Sequence, residues 1–344
     1  MKRILNERIL KESLPVFLIL LFLISCCSSP PDFPADPMAG IVPVDKEMDY
    51  SDNTGNTDYD GGIVFYGDTG KHHDVHMDMV KRVFAFDPVA VVHLGDAVRD
   101  GSSTVEWEYF DTITQILREK IPFYPVIGNH EKGIDIPWYL NHWGFSIGMG
   151  YYSLDLMTDG EIVRVPVTGS GESDYTGIDQ DSTLAHIVVL HSNPTFFEEG
   201  NDQYNWLIND LEQYDGIPVI LTYHIPLHSA GIHSEEMYEE HPARDLYDIV
   251  ADESYNIVAC VSGHDHAYER FEYPDGVQHI VTGCAGESPK EIQVPDHPYL
   301  ELYEPVHHLS VLNSVTDEDT GVIRLRFTAF DIDFNIIDSV EIDL

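Results

Sequence analysis

The chain is poor in cysteine and in basic residues. Its 344 residues include four cysteines, and 18 Lys and Arg stand against 60 Asp and Glu, which gives a formal net charge of −42. This negative charge argues against nucleic acid as a partner, because like charges repel. The sequence leaves the oligomeric state unknown. Two cysteines, Cys260 and Cys284, fall in or beside predicted strands. We expect them to be buried thiols, with a disulfide as the alternative if their strands are neighbours.

Long apolar segments are also scarce, and the one that stands out lies near the N terminus. Leu14 to Ile24 is apolar and follows a basic start, a pattern typical of an export signal and too short to span a bilayer stably. The next letters, Leu23-Ile24-Ser25-Cys26, resemble a bacterial lipobox. This resemblance implies cleavage before Cys26, lipidation of its thiol and a cell-envelope lipoprotein that faces the periplasm or the cell surface. Ordinary signal cleavage near Ser25 or Ser28 and a retained membrane helix are the alternatives.

The composition divides the chain into three predicted segments. Residues 1–25 are the predicted lipoprotein signal peptide. Residues 26–60 are acidic and rich in Pro and Gly, too polar to form a core, so we expect a flexible tether. Residues 61–344 are long enough for one large α/β core and form the predicted folded domain.

Five short polar motifs follow segments with the composition of buried strands. Because ligands gather at the carboxyl ends of strands in α/β sheets, we expect these motifs to meet at one sheet edge. Two Asp, one Asn and three His suit Mn, Fe, Zn or Co, and the absence of a thiolate from the motifs argues against a structural cysteine–zinc site. The motifs are Gly67-Asp68-Thr69-Gly70, Gly95-Asp96, Gly128-Asn129-His130, His224 and Gly263-His264-Asp265-His266.

The order of these motifs resembles that of the calcineurin-like metallophosphoesterase superfamily. The segment from Gly263 to Arg270, GHDHAYER, is most similar to the purple acid phosphatase branch, and the resemblance covers roughly residues 60–343. It implies a fold of class α/β, a four-layer α/β/β/α sandwich of two mixed sheets flanked by helices, with residues 61–344 as the catalytic domain. We expect no N-terminal β-sandwich domain of the plant type, because residues 26–60 leave no room for one.

Carried over residue by residue, the resemblance implies two divalent or trivalent metal ions, Fe, Mn or Zn, whose identity the sequence does not give. It also implies a phosphate-ester substrate, a phosphomonoester by preference, attacked by a metal-bound hydroxide. His130 and His233 would be catalytic, because His130 follows the ligand Asn129 and His233 matches a phosphate-contacting histidine of the plant-type enzymes. The implied ligands of the first metal are Asp68, Asp96 and His266, and those of the second are the bridging Asp96 with Asn129, His224 and His264.

One position departs from this pattern. The branch has a GDxxY motif whose tyrosine ligates ferric iron and gives the purple colour, whereas this chain has Arg99 at that place. Arginine cannot lose its proton in a protein and cannot be a ligand. Gly70 also stands where other branches have a histidine. Three arrangements stay open for the first site: water completes it, His72 or His73 reaches in from the next helix, or it is weak or empty.

Arg99 itself has two interpretations, a contact to substrate phosphate through its planar fork or an ion pair with Asp100 or another local acid. Two other functions compete with a phosphomonoesterase. One is a phosphodiesterase of the same fold, and the other is a non-catalytic metal-binding surface protein with a degraded first metal site. We further expect strands near 151–156, 186–191, 278–283, 307–315, 323–331 and 335–342 to form a second sheet, separate from the strands that precede the motifs.

Overall fold

The computed structural model describes residues 59–131, 139, 142–143, 150–166, 172–191, 200–234, 243–274 and 276–344. The predicted signal peptide, Cys26 and residues 26–58 of the tether lie outside this part of the chain. Among the described residues, no helix combines the length and the apolar character needed to cross a membrane.

The described elements alternate between strands and helices over the first half and are mainly strands at the end. Four α-helices are present in this part: α1 (His73–Val83), α2 (Thr104–Lys120), α3 (Asp202–Gln213) and α4 (Ala243–Val250). The strands are β1 (Ile63–Tyr66), β2 (Ala90–His93), β3 (Phe123–Pro125), β4 (Tyr152–Met157), β5 (Ile162–Arg164), β6 (Thr183–Val189), β7 (Val219–Thr222), β8 (Ile257–Ser262), β9 (Tyr268–Glu272), β10 (Gln278–Thr282), β11 (Leu300–Glu304), β12 (His308–Thr316), β13 (Ile323–Asp331) and β14 (Ile336–Asp343).

These strands form two mixed sheets. The first has the order β14-β13-β12-β1-β2-β3, and the second has the order β11-β9-β10-β8-β7-β6-β4-β5. Strands β1, β2 and β3 are parallel in the first sheet, as are β6, β7, β8 and β10 in the second. The two-sheet architecture that the resemblance implied is therefore confirmed.

The predicted membership of the two sheets is wrong in part, although β4, β6 and β10 lie in the second sheet as predicted. The five motif strands do not share a sheet: β1, β2 and β3 belong to the first, whereas β7 and β8 belong to the second. Strands β12, β13 and β14, predicted for the second sheet, pair instead beside β1. Both faces of each motif strand are apolar, so its sequence shows that it is buried but does not identify its neighbour.

The alternation of side chains along β1 shows why four layers form. Ile63 and Phe65 lie in the core between the two sheets, whereas Val64 and Tyr66 pack with apolar residues of α1 and α2 on the outer side. Successive side chains of a strand point to opposite faces, so a strand that is covered on both sides must be apolar throughout. On the second sheet, α3 and α4 cover the outer face in the same way.

The start of α2 also fixes a loop of the future site. Ser103 caps the helix by accepting a hydrogen bond from the backbone N–H of Glu106 at 3.3 Å. The Glu106 carboxylate then accepts hydrogen bonds from the backbone N–H groups of Arg99 at 2.6 Å and of Asp100 at 3.0 Å. A helix N-terminus therefore anchors the segment that follows Asp96.

The folded domain begins before residue 61. Tyr59, which the sequence assigned to the tether, is buried, and its ring lies edge-on to Phe330 with centroids 4.9 Å apart. Its carbonyl accepts a hydrogen bond from Nδ2 of Asn313 at 3.1 Å. Cys260 and Cys284 are both buried, and no disulfide joins them.

Candidate metal centre

The six predicted ligands lie just beyond the carboxyl ends of strands from both sheets. Asp68, Asp96 and Asn129 follow β1, β2 and β3, whereas the three histidines follow β7 and β8. The site therefore lies between the two sheets and draws on both. In the described chain seven non-glycine residues have positive φ, and four of them are predicted ligands: Asp68 (56°), Asp96 (50°), His264 (76°) and His266 (45°). Such strained backbone persists where the surrounding structure imposes it, and it concentrates at functional sites.

The second predicted metal site is a tight group of four donors around His224. Nε2 of His224 lies 3.0 Å from Oδ1 of Asn129 and 3.3 Å from Oδ2 of Asp96. It also lies 3.2 Å from Nδ1 of His264. One ligand atom each from Asp96, His224 and His264 fit within 4.8 Å of one another, and all three residues are buried.

A hydrogen bond at Nδ1 fixes the orientation of the His224 ring. Its Nδ1 donates a hydrogen bond to the backbone carbonyl of Leu94 at 2.7 Å, which leaves Nε2 as the ligand atom. Burial lowers the pKa of His224, but the charges of Asp96 and Asp68 outweigh it and raise the pKa to about 10. A cation is thus favoured where these donors meet. Carboxylate, amide and imidazole together fit a divalent or trivalent transition metal.

The first predicted site contains fewer donors. Asp68 is fully buried, and its Oδ1 accepts no hydrogen bond from the described residues but lies 3.5 Å from Nε2 of His266. Its Oδ2 accepts one from the backbone N–H of His264 at 2.9 Å. A Cβ added to Gly283 would lie 2.2 Å from this Oδ2, and one added to Gly263 would lie 2.7 Å from it. Since a buried carboxylate oxygen needs a donor or a cation, Asp68 fits a metal ligand.

Asp96 contacts the second group through its carboxylate and the Asp68 loop through its backbone. Its Oδ1 accepts a hydrogen bond from the backbone N–H of His130 at 2.9 Å, and its Oδ2 faces His224. Burial raises the pKa of Asp96, but the charges of His224 and other histidines outweigh that effect and lower it. The backbone of Asp96 also accepts a hydrogen bond from the N–H of Thr69 at 3.0 Å, which ties it to the Asp68 loop. The Asp96 carboxylate thus contacts the second group, whereas its backbone contacts the Asp68 loop, and its role as a bridging ligand stays a prediction.

A carboxylate that the sequence analysis did not single out holds this arrangement together. Glu131 is almost fully buried and accepts hydrogen bonds from the backbone N–H groups of Gly128 at 2.7 Å, Ala97 at 2.8 Å and Asp96 at 3.1 Å. It therefore joins the two loops that carry Asp96 and Asn129. Burial and the nearby Asp96 charge raise the pKa of Glu131 to about 8. The only sequence signal was its place directly after Asn129-His130.

The two predicted catalytic histidines flank the donor group. Nδ1 of His130 donates to the carbonyl of Arg99 at 2.7 Å, and its Nε2 lies 3.8 Å from Oδ2 of Asp96 with the side chain 45% exposed. The His233 ring stacks on His264 with centroids 4.0 Å apart. Both imidazoles therefore lie beside the ligands of the second site, and that of His130 is open to solvent.

Comparison with protein families identifies the family of this chain. The model of the family described as calcineurin-like phosphoesterase matches residues 62–268, more than half of the chain. The chain belongs to the calcineurin-like phosphoesterase family. The predicted superfamily is therefore confirmed, and membership of a phosphoesterase family is in keeping with a metal site formed by Asp96, His224 and His264.

Relatives within this family are purple acid phosphatases. The chain is 24% identical over 231 residues to a protein of Arabidopsis thaliana named probable inactive purple acid phosphatase 9, which covers 60% of the chain and 35% of the relative. It is 25% identical over 191 residues to purple acid phosphatase 18 of the same plant, covering 53% and 40%. The chain thus spans well under half the length of these relatives. The structure of the purple acid phosphatase PPD1 from yellow lupin seeds shares the fold, with a TM-score of 0.59 and 16% identity over 82% of this chain and 54% of that one.

Arg99, which departs from the motif of the purple acid phosphatase branch, has an ion-pair partner in the structure. Nε of Arg99 lies 3.5 Å from Oε1 of Glu287. Its stem passes over Gly70, because a Cβ added there would lie 2.7 Å from Cγ of Arg99. The ion-pair interpretation is thus realised with Glu287, not with Asp100, whose Oδ1 accepts a hydrogen bond from the hydroxyl of Ser102 at 2.7 Å.

The two histidines considered for the first site are engaged elsewhere. Nε2 of His72 lies 3.0 Å from Oγ of Ser288, and the His73 ring stacks on Tyr109 with centroids 4.4 Å apart. Tyr109 belongs to α2, so His73 serves the packing of α1 against α2. Neither contact joins a histidine to Asp68 or His266.

Proposed function

We propose that the chain is an exported, lipid-anchored metallophosphoesterase that hydrolyses phosphomonoesters. The observation that carries the hydrolytic part is the convergence of Asp96, Asn129, His224 and His264 at one point, with an imidazole on either side. Three of the donor residues, Asp96, His224 and His264, are buried. The residue types match a metal-dependent hydrolase rather than a structural cysteine–zinc site.

Two metal ions fit the chain's donors, one held by Asp96, Asn129, His224 and His264 and the other by Asp68, Asp96 and His266. When bound, such ions polarise phosphoryl oxygens and lower the pKa of water towards neutrality. The proposal limits the ions to Fe, Mn or Zn and does not choose among them. The buried Asp68 oxygen without a hydrogen-bond donor supports the second of these sets.

His130 and His233 supply proton donors, which the proposed metal ligands do not. His130 is exposed beside Asp96, and its Nδ1 already donates to the Arg99 carbonyl. In the imidazolium form Nε2 also carries a proton, and it can then donate to a phosphoryl oxygen and stabilise the negative charge that develops there. His233 lies against the ring of His264. In its imidazolium form, His233 can give the Nε2 proton to a leaving alkoxide, which is otherwise a poor leaving group, and it then becomes the neutral imidazole with its proton on Nδ1.

One experiment tests the reaction. Purified protein loaded with Mn, Zn or Fe is assayed with p-nitrophenyl phosphate and with its bis ester, and bound metal is measured by elemental mass spectrometry. We expect turnover of the monoester that chelator abolishes and metal restores. Faster hydrolysis of the bis ester would replace the monoesterase with a phosphodiesterase. Bound metal without turnover of either ester would favour a non-catalytic metal-binding protein.

A separate experiment tests the anchor. The motif Leu23-Ile24-Ser25-Cys26 supports lipidation of Cys26, and the neighbouring Cys27 offers a matched control. We expect the protein of bacterial cells to partition into detergent and to lose this behaviour in Cys26→Ser but not in Cys27→Ser. Equal partitioning of both variants would contradict a lipid on Cys26.

A further inference from the structure

Asp265, between the two ligand histidines of the last motif, is engaged with the loop that carries His233. It is fully buried. Its Oδ1 lies 2.8 Å from Nδ1 of His233 and accepts a second hydrogen bond from the His233 backbone N–H at 3.2 Å. Its Oδ2 accepts a hydrogen bond from the hydroxyl of Ser229. A Cβ added to Gly231 would lie 2.9 Å from Cγ of Asp265, so the loop is pressed against this carboxylate.

These contacts determine how the His233 ring is held. An ionised carboxylate only accepts hydrogen bonds, so Nδ1 of His233 is the donor and Nε2 is the ring nitrogen that this contact leaves available. The ring is also packed against His264, at an interplanar angle of 30°. The carboxylate of Asp265 therefore holds one edge of the imidazole, and the predicted ligand His264 packs against one face of the ring. His130, by contrast, is held by a neutral carbonyl and is about twice as exposed, 45% against 23% for the side chain.

The same motif secures the rest of the loop. Glu269, three residues after His266, accepts a hydrogen bond from the backbone N–H of Ala230 at 2.7 Å and is buried. Asp265 and Glu269 thus hold both ends of the segment from Ser229 to His233. This explains in physical terms why the motif extends past its two ligands: the extra residues build the support of the neighbouring histidine.

We propose that Asp265 is a positioning residue for His233, which sets the orientation and tautomer of this imidazole for its contact with the substrate. The proposal rests on the proposed phosphoesterase function. It gives the central residue of the Gly-His-Asp-His motif a task that neither metal site requires. Partners behind a functional histidine typically change activity by about 10–100-fold when removed.

A double-mutant cycle tests it. We expect Asp265→Ala to lower kcat by about 10–100-fold and His233→Ala by about 10²–10⁴-fold. Because Asp265 acts through His233, the double variant should be no slower than His233→Ala alone. Asp265→Asn, which keeps an acceptor oxygen, should fall between wild type and Asp265→Ala. Asp111→Asn is the matched control, since Asp111 accepts a hydrogen bond from Nε2 of His142 at 3.0 Å and touches neither His233 nor any metal ligand in the contacts described above.

Two results would overturn the proposal. One is a multiplicative loss in the double variant, and the other is loss of bound metal in Asp265→Asn in proportion to its loss of activity. Nitrogen NMR of the metal-free protein gives a readout that does not depend on catalysis. We expect the Nδ1–H tautomer of His233, assigned with His233→Ala, to be dominant in wild type and to lose that dominance in Asp265→Ala. A protein that hydrolyses no phosphate ester but shows this tautomer change would contradict the proposed function and leave the positioning role standing.

Discussion

Nε of Arg99 lies 3.5 Å from Oε1 of Glu287, at the position where the sequence resemblance implied a tyrosine ligand. The Glu287 side chain is 14% exposed, and its backbone N–H donates to the carbonyl of Asp68 at 2.7 Å. The acid that neutralises Arg99 therefore belongs to a loop in direct contact with a first-site ligand. Because the Arg99 side chain is 39% exposed, the ion pair contributes little to stability, on the order of 1 kcal/mol or less.

Arg99→Tyr tests what this position does for the metal. We expect the variant to hold the first metal more tightly than wild type and to gain visible absorption with ferric iron, because tyrosinate adds a ligand that arginine cannot provide. KM for p-nitrophenyl phosphate should change little, since Arg99 already has Glu287 as its partner. Arg99→Phe is the control of equal size without the hydroxyl. If the Tyr and Phe variants have the same metal affinity and colour, the side chain at this position points away from the site.

Single-ligand variants should separate the two metal sites. We expect His224→Ala to lose the metal held with Asn129, His266→Ala to lose the metal held with Asp68, and Asp96→Ala to lose both, because only Asp96 serves both sets. Metal-to-protein ratios by elemental mass spectrometry at limiting metal check this. A ratio of one in wild type at saturating metal, with full activity, would sink the two-metal arrangement.

His130→Ala should slow turnover while sparing the metals. The hydrogen bond from His130 to Asp96 comes from its backbone, so alanine retains it, and only the imidazole beside the site is lost. We expect a loss of about 10²–10⁴-fold in kcat, with metal content near that of wild type. His142→Ala, a partly buried histidine bonded to Asp111, is the control. Loss of metal in step with activity would make His130 a ligand or a structural residue instead.

Gly283→Ala should weaken the first metal site without touching a ligand. The added Cβ would lie 2.2 Å from Oδ2 of Asp68 and 2.6 Å from Cα of Gly263, so the carboxylate must move. We expect metal affinity at that site to fall about tenfold or more. Gly160→Ala is the control for backbone strain alone, because Gly160 has a φ of +87° and open space around it. Equal metal affinities in the two variants would show that the close packing around Asp68 is dispensable.

A buried histidine far from the predicted ligands should govern part of the pH dependence of stability. Nδ1 of His186 bonds to Asp155 at 2.7 Å and Nε2 bonds to Asp210 at 2.8 Å, with all three side chains fully buried. Hydroxyl groups of Tyr214 and Tyr175 donate to the same carboxylates. Burial lowers the pKa of His186, but its hydrogen bonds to Asp155 and Asp210 and their charges outweigh that effect and raise it.

Because the folded pKa lies above the unfolded value of about 6.5, this stabilisation is fully present below that pH and is lost as pH rises through the folded pKa. We expect His186→Gln to lower the free energy of unfolding by about 3–5 kcal/mol at pH 6, and by less at higher pH. Urea unfolding of both proteins in the presence of chelator measures the difference. A difference that is constant from pH 6 to pH 9 would contradict a protonated His186.

The sequence by itself determined the chemistry of the site. Asp68, Asp96, Asn129, His224 and His264 each stand directly after an apolar segment, and the contacts of the described structure bring Asp96, Asn129, His224 and His264 together. Apolar residues that recur on one helical face also predict helices over about 104–118 and 201–214, and α2 and α3 occupy these segments. These features depend on local pattern, which a single chain carries in full.

Tertiary structure alone decided which sheet each strand joins and what supports each functional group. A strand that is apolar on both faces does not record its neighbour, so the division of the ligands between two sheets could not be seen in β1 or β8. The Asp265–His233 pair and the Arg99–Glu287 pair join residues that are 32 and 188 positions apart. Glu131 accepts hydrogen bonds both from Gly128, three positions away, and from Asp96, 35 positions away. Such contacts exist only once the two sheets have packed and brought their loops to one edge, which is why the ligands were predictable and their supports were not.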